Sequence, residues 1–301
     1  MAVDKVFPEF HPELRKAARI IPRSPIRPVT LPIFRAGSRV QKNLPARGVD
    51  ILTTTDGVEV RLHRPPHPDD APGPAMLWIH GGGYLIGTAA QDDYLCRQFT
   101  RALGITAAAV EYGLSPEHQY PVPLEHCYSA LTWLAGLPAV DPDRIIIAGG
   151  SAGGGLAAQL AFLARDRGEI AVLAQHLVYP MLDDRSSLGP NRDNPGFRMW
   201  DKRSNEFGWQ AYLGDADPDS VVPARRQDLA GLPPAWIGVG TLDLFHDEDL
   251  AYAERLREAG VPCSVETVRG AFHGFDQIAP QKHISKAFFT TQCASLRAAF
   301  S

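Results

Sequence analysis

Ser151 stands in Gly149-Gly150-Ser151-Ala152-Gly153, behind the apolar run Arg144-Ile145-Ile146-Ile147-Ala148 and ahead of Leu156–Ala164, which reads as a helix. A serine on a sharp turn between a buried strand and a helix is in the setting where a hydroxyl becomes a nucleophile. Such a turn accepts only small residues two positions to either side, and Gly149 and Gly153 supply them. Taken alone, the pentapeptide reads equally well as a glycine-rich turn with an incidental serine. The rest of the chain has to supply a base within hydrogen-bond reach and a carboxylate to orient it, because a serine hydroxyl is a poor nucleophile near neutral pH.

The base best placed by order is His273, in Arg269-Gly270-Ala271-Phe272-His273-Gly274-Phe275, after the strand Cys263–Val268 and before a final helix. His63, His67, His118 and His126 precede the serine, His176 opens a strand, His246 crowds the candidate acid, and His283 falls on the surface of the last helix. The leading acid is Asp243, in Gly240-Thr241-Leu242-Asp243-Leu244-Phe245 after the strand at Trp236. Asp247, Glu248 and Asp249 begin a helix, where acids are expected as caps and dipole partners. Asp183 and Asp184 also follow a strand and stay open as an alternative. Upstream, His80-Gly81-Gly82-Gly83-Tyr84 follows the strand Met76–Ile79. Glycines let backbone N–H groups approach a developing oxyanion, so Gly82 and Gly83 are the expected donors, with the Ala152 N–H as a third. Each such donor is worth ~3 kcal/mol in a transition state. His80 is expected to hold this loop by hydrogen bonds. No G-K-[ST] follows the glycines and they do not fit G-x-G-x-x-G, so a phosphate cradle is set aside.

These groups need a scaffold that brings strand ends together. Val49–Thr53 and Val58–Leu62 flank Asp56-Gly57 and read as an antiparallel hairpin. Strands then follow at Ala75–Ile79, Ile105–Tyr112, Ile145–Ala148, His176–Tyr179, Trp236–Gly240 and Cys263–Val268. Helices are expected at Leu124–Leu137, after Ser151, at Asp247–Ala259 and at Gln281–Ala299. That alternation predicts an α/β fold, a mostly parallel central sheet flanked by helices with the hairpin as an antiparallel edge. Two segments break the rhythm. Residues 1–48 are too rich in proline for one long helix, so short helices joined by extended pieces are expected. More than fifty residues separate Tyr179 from Trp236, and connections that long are usually functional. Tyr84 together with Met181, Trp200, Phe207 and Tyr212 of this insertion are the candidate pocket wall; the other reading is that the insertion's apolar residues form its own small core.

Composition excludes several classes. The chain has 301 residues, 45% hydrophobic and 21% charged, with a formal net charge of −4. It shows no basic stripe for nucleic acid and no run approaching the ~20 apolar residues of a membrane span. Cys96, Cys127, Cys263 and Cys293 are scattered, as suits reduced thiols in a chain of this size, with no zinc spacing. With no apolar signal segment at the start, a cytoplasmic location is the expectation.

Five segments together resemble the hormone-sensitive-lipase-like esterases, the bacterial family-IV branch of the α/β-hydrolase fold. They are His80–Gly83, Glu111-Tyr112-Gly113-Leu114-Ser115-Pro116-Glu117, Gly149–Gly154, Gly240–Glu248 and Ala271–Phe275. The second is similar to the family's Y-R-L-A-P-E and the fourth to its D-P-L-R-D-E. Gly113 stands where the family has arginine, Gly150 where it often has an acid, and Leu244, Phe245 and His246 replace Pro, Leu and Arg. The resemblance implies a catalytic domain over residues 49–301. It implies a cap built from residues 1–48 and about 181–225, and hydrolysis of esters with short to medium acyl chains without metal or cofactor. A homodimer is also implied, since many members are dimers. Rival readings are an amidase or aryl-formamidase with the same chemistry, a prolyl-oligopeptidase-type peptidase and a non-catalytic ligand receptor on the same scaffold.

Overall fold

A computed structural model describes residues 9–66 and 71–301; residues 1–8 of the expected cap segment, and His67, lie outside the described residues. Eight strands form one sheet: β1 (Asp50–Thr53), β2 (Glu59–His63), β3 (Gly73–Ile79), β4 (Thr106–Val110), β5 (Val140–Gly150), β6 (Ala174–Val178), β7 (Ala235–Leu242) and β8 (Cys263–Phe272). Their order is β1-β2-β4-β3-β5-β6-β7-β8. β1 and β2 pair antiparallel, as do β2 and β4, and every later pair is parallel. The helices are α1 (Arg15–Ile20), α2 (Leu31–Lys42), α3 (Asp93–Leu103), α4 (Val122–Ala135), α5 (Ala152–Arg167), α6 (Lys202–Leu213), α7 (Pro218–Val221), α8 (His246–Glu258), α9 (Phe275–Ile278) and α10 (His283–Phe300).

The central strands are apolar throughout because both faces of the sheet are covered. Within β3 the period of two still operates. Ala75, Leu77 and Ile79 pack into a core with α4, α5, α6 and α8, while Met76 and Trp78 pack into a second core with α1, α3 and α10. α5 starts with Gly153, Gly154 and Gly155, poor helix formers that let its first turn press on its neighbours. A Cβ on Gly153 would stand 2.1 Å from the Ile79 carbonyl oxygen, and one on Gly149 would stand 2.3 Å from the Gly153 oxygen. Neither position accepts a side chain, so the serine between them is locked to the end of β5.

The elements differ from the sequence expectation in several places, among them α6, which was not assigned in the long insertion. α3 appears where no helix was assigned, although Leu95, Cys96, Phe99, Ala102 and Leu103 follow a helical spacing and pack on the second core. β8 runs four residues past Val268. A register shift after Gly240 lets Leu242 pair with Phe272, and a Cβ on Gly240 would collide with the Ala271 oxygen at 2.3 Å. β7 and β8 therefore end side by side, one residue before Asp243 and His273.

The N-terminal segment and the long insertion meet over the carboxyl ends of the strands. The Met199 N–H donates to the Pro22 oxygen at 2.9 Å, Arg23 donates to the Asn194 oxygen at 2.9 Å, and the Ser204 hydroxyl donates to the Ile26 oxygen at 3.0 Å. Nearer its start the same segment crosses β8, where the His11 N–H donates to the Gly270 oxygen at 2.9 Å.

Candidate active site

Ser151 has φ 58° and ψ −124°, a conformation a side chain rarely adopts, and the packing of Gly149 and Gly153 imposes it. Its hydroxyl lies 2.9 Å from His273 Nε2, and His273 Nδ1 lies 2.8 Å from Asp243 Oδ2. Asp243 Oδ1 accepts from the Phe245 N–H at 3.1 Å, so the carboxylate is held from behind while its other oxygen faces the imidazole. The edge-on rings of Tyr179 and Phe245, with centroids 4.9 and 5.1 Å away, hold the imidazole from its sides. All three polar groups are buried, at 7% or less exposure. Asp183 and Asp184 are committed elsewhere: Asp183 is ion-paired with Arg185 and Asp184 with Arg225, each at 2.8 Å or less. Glu248 accepts from the N–H groups of Leu182 and Asp183 and from the Ser186 hydroxyl, which pins the start of the insertion; burial pushes its carboxyl well above the usual range.

The glycine loop after β3 arrives beside the serine. A Cβ on Gly81 would stand 3.2 Å from Ser151 Cβ. Gly82 (φ 130°) and Gly83 (φ 60°) occupy backbone space closed to other residues, and a Cβ on either would be 2.0 Å from its neighbour, the Ile86 oxygen or the Trp200 ring. His80 lies beneath: its Nδ1 donates to the Gly81 oxygen at 2.9 Å, and its ring stacks on Tyr112 at 4.2 Å. Burial lowers its affinity for a proton, so it is a neutral prop for the loop. Glu111 adds a second brace, accepting from the Thr88 hydroxyl and the Ala89 N–H at 2.8 Å each. Gly113 leaves its space to the His118 ring, and Arg35 of α2 is the guanidinium that pairs with Glu117, at 2.5 Å.

A cavity of about 640 Å³ opens over Ser151, His273, Gly82 and Gly83. Of the five candidate wall residues only Trp200 lines it. Tyr84 and Tyr212 are fully buried and stacked on each other at 4.1 Å, and Met181 is fully buried in the same core. Phe207 packs at the edge of that core. α6 turns these aromatics down onto α5, where the Tyr212 hydroxyl donates to Gln159, so they anchor the insertion and do not face the cavity. The wall is completed by Met199 of the insertion and by residues that sequence reasoning missed, chiefly Tyr179, Asp92, Asp276 and Phe289. A signal existed for Tyr179, which directly follows β6 at the carboxyl edge of the sheet; Asp92 ahead of α3, Asp276 in α9 and Phe289 in α10 gave none. Among the described residues no cluster of His, Cys, Asp or Glu could hold a metal ion, and no helix is long and apolar enough to cross a membrane.

A family model described as alpha/beta hydrolase fold matches residues 76–277. The chain belongs to this family, and its motifs place it in the hormone-sensitive-lipase-like branch. It is 34% identical over 277 residues to Esterase LipI of Mycobacterium tuberculosis, covering 87% of this chain and 80% of that one. It is 34% identical over 243 residues to an ethyl acetate hydrolase of Pseudomonas putida, covering 74% of each. The solved structure of a bacterial heroin esterase superposes with a TM-score of 0.87 at 34% identity, covering 98% of this chain and 99% of that one.

Proposed function

We propose that the protein is a serine carboxylesterase acting on esters with short to medium acyl chains. The observation that carries this is the continuous chain of hydrogen bonds from Asp243 through His273 to the Ser151 hydroxyl at the floor of the cavity. In the proposed cycle, Ser151 Oγ attacks the ester carbonyl as His273 Nε2 takes its proton. The oxyanion forms against the N–H groups of Gly82, Gly83 and Ala152. The imidazolium, steadied by Asp243, then protonates the departing alcohol. Water enters, loses its proton to the same nitrogen and attacks the acyl-enzyme; the tetrahedral intermediate collapses to the carboxylic acid and returns the proton to Ser151. No step calls on a metal or cofactor. Residues 9–48 and 181–225 act as a cap that shapes the cavity mouth, with Trp200 against Gly83 as its contact with the reacting centre.

Purified protein and a series of p-nitrophenyl esters of increasing acyl length test the reading. Turnover is expected to peak among short to medium chains and to fall by about 10⁶ in Ser151→Ala, as when a triad serine is removed. Absence of turnover across the series, or full activity in Ser151→Ala, would overturn it.

A further inference from the structure

The cavity extends beyond the serine into an arm between the start of α3 and the corner joining α9 to α10, and Asp92, Asp276 and Ser285 are in its wall. The two carboxyls are tied to the polar ends of two aromatic rings. Asp92 Oδ2 accepts from Trp78 Nε1 at 2.8 Å, and Asp276 Oδ1 accepts from the Tyr179 hydroxyl at 2.9 Å. Those rings flank the residue before the nucleophile: a Cβ on Gly150 would find Tyr179 Cε2 at 3.6 Å and Trp78 Cζ2 at 3.8 Å as its nearest neighbours. Both acids therefore belong to one patch beside Ser151.

The patch is incomplete in charge. Asp92 is 3% exposed, and among the described residues the side-chain hydrogen-bond donors to the two acids, Trp78 and Gln91 for Asp92 and Tyr179 for Asp276, are all neutral. Of the cavity-lining side chains only His273, which bonds Ser151 and Asp243, and the exposed Lys286 can carry positive charge. A second group is also left open: the Ser285 hydroxyl, on a residue 4% exposed, has no hydrogen-bond partner. Buried carboxylates without a cation are costly, and a cation brought in by a ligand relieves that cost. Burial, with Asp276 nearby, pushes Asp92 up to about 7. Tyr94 and Phe289 line the same cavity, and aromatic rings suit an alkylammonium group.

We propose that this arm is a subsite for a positively charged amine on the substrate, so that preferred esters carry an ammonium group in the part that lies along α3 and α10. The proposal rests on the esterase reading and names its substrate class.

The test uses matched ester pairs in which a trimethylammonium group is replaced by a neutral tert-butyl group. In one pair the group is on the alcohol, as in choline acetate and its carbon isostere; in the other it is on the acyl chain of an ethyl ester. In the wild-type protein kcat/KM for the charged member of at least one pair is expected to exceed that of the isostere by about tenfold. That ratio is expected to collapse toward unity in Asp92→Asn and Asp276→Asn. Should either variant fail to fold, tetramethylammonium chloride against sodium chloride at equal ionic strength is expected to inhibit the wild type competitively. If no member of either pair is hydrolysed, the esterase reading fails. If members are hydrolysed but neither pair shows a charge preference, if the preference survives both asparagine variants, or if tetramethylammonium does not compete, the ammonium subsite is wrong while the esterase reading stands.

Discussion

At the scale of the residue, three side chains from three strand ends meet within hydrogen-bond distance, and each owes its place to backbone geometry. Asp243→Asn keeps the shape but offers the imidazole an amide that favours the wrong tautomer. Stopped assays are expected to show kcat lower by about 10⁴ with KM changed far less. Gly82→Ala would put a methyl 2.0 Å from the Ile86 oxygen in a φ of 130°. The loop has to move, and the expected loss in kcat is about 10²–10³, measured beside a circular-dichroism spectrum that stays native. The grouping of Ser151, His273, Asp243 and the glycine loop was legible in the sequence because each is a short motif next to an apolar strand. Asp92 and Asp276 were not, since their closeness depends on which elements neighbour which, and no local pattern states that. The pocket assignment of Tyr84, Met181, Phe207 and Tyr212 failed for a related reason: apolar type marks burial without telling a cavity wall from a core.

At the scale of the element, the eight strands and the helices α4, α5, α8 and α10 could be read from periodicity and punctuation; α3 and α6 were not assigned, and the register could not be read. The shift after Gly240 that lengthens β8 is a property of a strand pair. The same holds for the tie between β2 and α3. Arg61, 1% exposed, donates from Nε and Nη2 to Asp93 at 2.8 and 2.6 Å. Burial pushes the Asp93 carboxyl up, but Arg61 and His63 outweigh it and hold it down at about 2. A depressed carboxyl contributes stability above its unfolded value of about 4 that is lost as pH falls toward 2. Asp93→Asn leaves Arg61 buried without its counter-charge. Urea unfolding at neutral pH is expected to show a loss of about 3–5 kcal/mol, and a smaller further loss between pH 4 and pH 2 than the wild type shows.

At the scale of the whole molecule, a covered sheet presents its carboxyl edge to two segments distant in sequence, which close over it together. Arg35 ties the first of them down, donating to the Leu85 oxygen at 2.9 Å, to Glu117 and to the Ser115 oxygen. Helix α2 buries none of its own side chains, so this guanidinium is its chief fastening to the strand-end loops. Arg35→Ala is expected to raise KM several-fold with a smaller change in kcat and to speed proteolysis within residues 21–48, as followed by mass spectrometry of timed digests. A covering by these two segments was what the family resemblance implied; which side chains clasp them no local pattern states. The central claim is that Ser151 is the acylated group. A fluorophosphonate followed by peptide mass mapping tests it most directly. The expected result is one adduct per chain, on the peptide carrying Ser151, with esterase turnover lost in step with labelling and both absent in Ser151→Ala. An adduct on a different residue, or turnover that persists with Ser151 fully labelled, would contradict it.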